Sequence, residues 1–487
     1  MTRKALFILL MAVTAACARS TPEQQIVNDA AEALGGSDRI LAVKTLVLEG
    51  EGTQGNLGQD INPEANGQTF AITGYRRAVD VAGGRARTEL TRTPNFPFFQ
   101  GQQAQRQVNG VDGALGYNVA ASGTATRTNE ATANDRRLEF LHHPITAVRA
   151  ALDPMATLAN PRTEGNESVV DVTTSDGRRF TLAIDATTKL PARVFTMANN
   201  NNLGDVALST LFSDYGDVSG VQVPSTLASR TDDFRSADMK VTTAVDGDPG
   251  DLAAPADAAN AQLPGPPAAP NVTVEEIGRG IWFLAGGGAN SVLLEFDDHM
   301  KLVEAPTNDA RTLATIARAR EVRPNKPLTH FINTHHHFDH SGGVRAAISE
   351  GLTMITHAGN VALFEEIGKR PHTLVPDALS MNPKPVMIEG IKEDTVQQDG
   401  TMTIHIYPFS GNHTETMLYV YVPRDRLLIE ADVYSPASSV APFIQGFYED
   451  VRTRNLRVDR IAPIHGPVTP FAQFVKVATA PPAAATN

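Results

Sequence analysis

The sequence predicts an α/β protein in two parts, an antiparallel β-rich half followed by a layered domain of interleaved strands and helices. Three observations carry this reading. Before residue 249, short segments alternate apolar and polar residues, the period of half-buried strands. Over 249–271 a Pro- and Ala-rich stretch shows no apolar period and reads as a semi-rigid linker. Beyond it, short apolar strands alternate with helical stretches, the pattern of an α/β layered domain.

The chain begins with a targeting segment. Arg3 and Lys4 precede an apolar run over 5–13, too short to cross a bilayer as a helix, then small residues and Cys17, the single cysteine. Residues 1–17 resemble a bacterial lipoprotein signal, with Thr14 where that pattern usually has an aliphatic residue. The plainer alternative is a secretory signal cut nearby. Both imply an exported protein at the periplasmic face of the envelope, and the first adds a membrane lipid anchor through Cys17. One cysteine makes no intramolecular disulfide and completes no Cys-rich zinc site.

Composition sets further bounds. At 41% hydrophobic and 487 residues there is material for two cores. The net charge of −12 is spread over both halves, which excludes nucleic acid as a partner, because phosphate binding needs clustered Lys and Arg.

Within 20–248, strands are expected at 44–48, 71–75 and 221–223. A hairpin over 169–184 turns at Ser175-Asp176-Gly177. One helix is expected near 23–34, stopped by Gly35-Gly36, and another over 136–152. The pattern resembles the half-barrel domains of exported bacterial lipoproteins, including lipoprotein-carrier folds. His142 and His143 precede Pro144 without motif support and read as structural.

Within 272–478, strands are expected at 281–284, 291–296, 301–303, 329–332, 354–356, 401–407, 416–422, 427–429 and 460–464. Helices are expected at 309–321, after Gly342-Gly343, at 360–367 and at 444–455; the tail over 479–487 reads as disordered.

All thirteen histidines except His142 and His143 lie in this second half. The run His335-His336-His337-Phe338-Asp339-His340 follows an apolar strand directly. Imidazole nitrogen and carboxylate oxygen suit zinc and similar first-row ions. His335 and His337 can serve one ion, and Asp339 and His340 a second. Two ions need more ligands, and His413, Asp432 and His465 each sit just after an expected strand, where strand ends can converge on one cleft.

Taken with these ordered motifs, 272–475 resembles the metallo-β-lactamase-fold hydrolase superfamily. The resemblance implies a four-layer αββα sandwich after the half-barrel-like β domain. It implies that His335, His337 and His413 hold one zinc, that Asp339, His340 and His465 hold the other, and that Asp432 bridges them. Iron and manganese are alternatives to two Zn2+. Glu304 stands where many members have an aspartate supporting the metal loop. His336 is expected to face outward. His330, His357, His372 and His405 read as structural, with His357 the nearest of them to the cleft.

A water between two dications loses a proton near neutral pH and becomes the nucleophile. Asp339 is the catalytic candidate, orienting that water or taking its proton. No Ser-His-Asp arrangement offers a protein nucleophile. The resulting expectation is a hydrolase cleaving an ester, lactone, thioester or lactam bond of a small molecule. Asp432 resembles the bridging residue of the glyoxalase, lactonase and arylsulfatase-like branches, where many zinc β-lactamases have cysteine or serine. One alternative is an iron redox enzyme of the persulfide dioxygenase kind, which uses fewer ligands. Another is a non-catalytic envelope protein that binds a lipid or lipoprotein, against which seven retained ligands argue. The β-rich half is expected to dock to the envelope, cover the cleft or carry an apolar substrate.

Overall fold

A computed structural model describes residues 20–96, 103–437 and 441–480. The expectations for 1–17, Cys17 included, and for most of the tail fall outside the described residues. Among those described, no helix is long and apolar enough to cross a membrane.

Residues 45–245 form one 13-stranded antiparallel sheet. Its alternation is legible in strand Glu167–Thr173, where Val170 and Val172 enter the core while Asp171 faces Thr181 across the ladder. The hairpin to Arg179–Asp185 closes through Gly177, whose φ of 85° is open to glycine at little cost. One face of the sheet packs on helices Pro22–Ala33 and Pro144–Leu152, through Val27, Leu34, Ile145 and Val148. Thr21 and Gln24 form a capping box at the first helix, and Gly35 and Gly36 follow its end at positive φ.

The single helix expected over 136–152 is two, Glu130–Glu139 and Pro144–Leu152. Pro144 has no N–H to continue the first helix and holds His143 extended. The His143 side chain then accepts the Ile145 N–H as the cap of the second helix. Residues of the Pro-rich stretch lie against the sheet: Leu252 packs on Val47 and Ala78, and Ala258 on Tyr117.

The second half is a sandwich of a seven-stranded sheet, Thr273–Gly278 to Ile388–Ile391, and a six-stranded sheet, Thr395–Gln398 to Thr469–Pro470. Period-two alternation sorts each strand between two cores. In Ile281–Ala285, Ile281 and Phe283 face the opposing sheet while Trp282 and Leu284 face helices. In Met417–Val422, Leu418 and Val420 face inward while Tyr419 and Tyr421 meet Phe447 and the other residues of the outer core. Helices Asp309–Val322 and Val361–Lys369 cover one outer face, and Ala441–Thr453 and Phe471–Ala478 the other. This gives four layers, αββα.

Parallel strands place their C-terminal ends together. Met300–Val303 pairs parallel to Leu328–Ile332, and Leu427–Glu430 to Arg460–Pro463. The residues that follow, at 304, 333–340, 431–432 and 464–465, gather at one sandwich edge. Leu418 N–H donates to Thr334 O at 2.7 Å and links the two sheets there.

The two halves are packed against each other at this edge. Asn202 donates to Phe338 O at 3.2 Å and to Ser341 Oγ at 3.0 Å. Asp205 accepts the Thr373 and Leu374 N–H groups, and Arg370 pairs with Asp232.

Candidate metal centre

Strand Leu328–Ile332 ends at Asn333, and the chain then turns through the histidine run into the short helix Phe338–Ser341. That turn points alternate side chains to two adjacent places. His335 and His337 join His413 and Asp432 in one group, and Asp339 and His340 join His465 and Asp432 in another. In each group the ligand-type atoms lie within 4.8 Å of one another. Asp432 belongs to both. Its Oδ2 lies 3.1 Å from His413 Nε2, 3.5 Å from His335 Nε2 and 3.0 Å from His340 Nε2, and its Oδ1 lies 3.1 Å from His465 Nε2. Asp339 Oδ2 is 3.4 Å from His340 Nε2 and 3.5 Å from His465 Nε2.

The partners behind the ligands fix which atoms face inward. His340 Nδ1 meets Glu304 Oε2 at 3.2 Å, and His465 Nδ1 donates to Gly288 O at 2.7 Å, leaving both Nε2 atoms for the centre. Glu304 is fully buried and also accepts from Thr334 Oγ1 at 2.6 Å, so the longer carboxylate does reach the metal loop. For His337 the arrangement is reversed. Its Nε2–H donates to the carbonyl of Asp60 at 2.9 Å, and the buried Nδ1 has no hydrogen-bond partner. A buried imidazole nitrogen without a partner, beside two further imidazoles and a carboxylate, is a donor set that suits a first-row cation. The residues therefore fit metal ions in both groups.

Charge within the centre follows the same division. Burial, with help from His340, holds His335 down at about 3, and burial, with help from His335 and His413, holds His337 well below the ordinary histidine range. Burial opposes protonation of His340 and His465 as well, but the Asp432 and Asp339 carboxylates outweigh it. His465 is pushed up to about 10. The two carboxylates thus favour positive charge at this place, whether a proton or a metal ion supplies it.

The backbone is held in unusual conformations to achieve this. Glu304, Thr307 and Asp432 take φ of 77°, 71° and 62°, a region that L residues occupy at a cost of about 1–2 kcal/mol. The turn at Asp432 is tied by Glu430, whose Oε2 accepts the N–H groups of Val433 at 3.1 Å and Tyr434 at 3.2 Å. Burial pushes the Glu430 carboxyl up to about 8.

Residues 284–437 match the family model described as the metallo-beta-lactamase superfamily. The C-terminal domain has the metallo-β-lactamase fold. Solved structures similar to the chain include a metallo-beta-lactamase from Pontibacter korlensis, with 16% identity, a TM-score of 0.34, and coverage of 43% of this chain and 98% of that one. The FIM-1 metallo-beta-lactamase from Pseudomonas aeruginosa in the mono-zinc form is similar at 19% identity and a TM-score of 0.33, covering 42% of this chain and 93% of that one. The sec-alkylsulfatase Pisa1 from Pseudomonas sp. is similar at 16% identity and a TM-score of 0.33, covering 42% of this chain and 41% of that one. No curated protein matches the chain.

Other histidines of the metallo-β-lactamase-fold domain sit apart from the centre. His336 belongs to neither ligand group, but it does not face outward. It is buried, with Nδ1 3.4 Å from Thr416 Oγ1, because the loop packs beneath the N-terminal half. His357 is not among the described residues lining the cleft; its ring accepts the Gly359 N–H as a helix cap. His372 is buried 3.6 Å from Asp377. His405 bonds Tyr407.

Sequence reading missed the part of the site that comes from the N-terminal sheet. The loop over 56–68 reaches across the centre: Gly58 O accepts the Phe338 N–H at 3.1 Å, and Gln59 Nε2 donates to Asp339 Oδ1 at 2.8 Å. Ile61 O accepts from Glu415 N–H and Thr414 Oγ1, both at 2.8 Å. With this loop in place the ligands form the floor of a cleft of about 390 Å3, walled on one side by Phe70, Arg92 and Phe96. No motif marks these residues. Glu430 did leave a signal, as an acid ending an apolar strand two residues before Asp432.

Proposed function

We propose that this chain is a two-zinc hydrolase that cleaves an ester, lactone, thioester or lactam bond of a small molecule. The observation that carries the reading is the single carboxylate of Asp432 shared by two complete ligand groups on the floor of one cleft. Cations bound there supply an acidified water and a positive field for the acyl oxygen. Glu304, Gly288 O and Asp60 O orient His340, His465 and His337 toward those cations. Asp339 is the one ligand whose carboxylate stays half-exposed to the cleft. Gln59 fixes its Oδ1, so that oxygen is placed to hold the proton released when water attacks. The loop over 56–68 contributes Asn56, Gln59 and Gln68 to the cleft in which the substrate would lie.

The test is metal analysis of the purified chain followed by turnover of a 4-nitrophenyl ester, a δ-lactone, a thioester and a chromogenic β-lactam. Two zinc ions per chain and turnover of one substrate class, lost with chelator and restored by zinc, are expected. A single iron per chain without zinc-dependent turnover overturns the reading. In His337→Ala, activity is expected to fall by more than the roughly 10–100-fold typical of losing a partner behind a ligand.

A further inference from the structure

The cleft wall supplied by the N-terminal sheet carries a charge that the metal chemistry does not use. Arg92 lies on strand Arg85–Pro94, in register with Ile72 on one neighbour and Gln105 on the other. It is the only Arg or Lys among the described residues that line the cleft. Other arginines nearby are matched to acids: Arg85 to Asp80 at 2.8 Å, and Arg87 and Arg106 to Glu89 at 2.8 and 2.9 Å. Arg92 has no carboxylate within ion-pair distance among the described residues. Its Nε donates to Gln105 Oε1 at 2.7 Å, and its guanidinium lies 4.5 Å from the centre of the Phe70 ring. Burial alone acts on its charge, in the lowering direction, with no acid to compensate. A half-buried guanidinium stacked on a ring and tethered through Nε keeps its planar fork pre-set for an oxyanion.

Aromatic rings share the lining of the cleft with the amide side chains of Asn56, Gln59, Gln68 and Asn412. Phe70 and Phe96 meet edge to face at 5.4 Å, and Phe443 packs edge to face on His413 at 5.1 Å. The cleft thus combines one cation on its N-terminal wall, aromatic and amide side chains, and the candidate metal ligands on its floor.

We infer that the cleft takes a substrate bearing a carboxylate, which Arg92 of the N-terminal sheet binds while the scissile carbonyl lies over the ligand groups. The substrate is an anionic acyl compound small enough for about 390 Å3. The reaction in this statement rests on the hydrolase reading; the binding of a carboxylate by Arg92 does not. The N-terminal sheet is then a specificity element and not solely a cover.

Two measurements on the zinc-loaded full chain test this. Calorimetry with phenylacetate should show binding that weakens roughly 10–100-fold in Arg92→Gln, the range for losing a charge-assisted bidentate contact, and that Arg92→Lys restores in part. Kinetics with mono-(4-nitrophenyl) glutarate and the uncharged 4-nitrophenyl butyrate should show the ratio of their kcat/KM values falling by a similar factor in Arg92→Gln, mainly through KM of the anionic ester. Unchanged phenylacetate affinity in a folded Arg92→Gln chain, or no phenylacetate binding by the wild type, overturns the proposal. An unchanged ratio between the two esters does so too. If no ester, lactone, thioester or β-lactam turns over while phenylacetate binding depends on Arg92, the hydrolase reading fails and the carboxylate site stands.

Discussion

Gly58→Ala tests whether the N-terminal sheet helps to build the metal centre. Gly58 has a φ of 71°, where an added methyl costs about 1–2 kcal/mol from the backbone alone. Its Cβ would stand 2.3 Å from Phe338 Cγ and 2.4 Å from both Cδ atoms. Carbon atoms rest at about 3.5–4.0 Å, so loop or ring must move by more than about 1 Å. Phe338 lies between the ligands His337 and Asp339, on a loop buried against both sheets. The loop over 56–68 is held by a handful of hydrogen bonds and is the side that yields. Its withdrawal removes the Asp60 carbonyl from His337 Nε2 and the Gln59 amide from Asp339. Partners behind metal ligands are worth roughly 10–100-fold in affinity, so zinc affinity should fall by that factor, measured by competition with a chromophoric chelator. Gly67→Ala is the control in the same loop, because its Cβ meets nothing within 4 Å. Wild-type zinc affinity in a folded Gly58→Ala chain would refute the reasoning.

Further predictions concern the other half of the centre and the two cores. Glu304→Ala removes the partner of His340 Nδ1 and Thr334 Oγ1 and should lower zinc affinity by roughly 10–100-fold in the same competition assay, whereas Glu389→Ala, on an exposed carboxylate, should not. Val420→Ala opens a cavity between the two sheets and should cost about 1–3 kcal/mol in denaturant unfolding, with little change at the exposed Val396→Ala. His142 is half-buried between Thr210 Oγ1 and Thr196 Oγ1, and loss of solvent, then Arg77, lowers it to about 4. Because the unfolded chain takes up this proton near pH 6.5 and the folded chain does not, stability is full above about pH 6.5 and declines as pH falls toward 4. The loss reaches about 3 kcal/mol at one pKa unit per 1.36 kcal/mol. Unfolding in chelator at pH 7 and pH 4.5 should show a smaller difference in His142→Gln; equal differences in both chains would sink this account.

The centre was legible because its signal is local. Spacing within six consecutive residues, 335–340, places side chains on the two sides of one turn, and the remaining candidate ligands each follow an apolar strand, Asp432 and His465 after the two strands of a parallel pair and His413 after an antiparallel one. Period-two patterns carried the sandwich strands for the same reason: each side chain answers to one of two cores. The single helix over 136–152 was misread because both segments keep a helical apolar spacing, and Pro144 decided between them. His336 was misread because exposure was judged from the loop alone, whereas the N-terminal half covers it.

The cleft wall was illegible for a different physical reason. Strand Arg85–Pro94 reads Arg-Ala-Arg-Thr-Glu-Leu-Thr-Arg-Thr-Pro, and its alternation is between polar residues that answer to neighbouring strands, so it carries almost no apolar period. The loop over 56–68 has no period at all. Gln59 apart, its role comes from backbone carbonyls at Gly58, Asp60 and Ile61, and a carbonyl has no letter in the sequence. Side-chain chemistry can be read from residue types, but a site finished by main-chain oxygens 277 and 353 residues away can be read only from the fold. That same feature makes the loop intolerant of any change that shifts its backbone, and Gly58, which contributes main-chain atoms alone, is the informative position to alter.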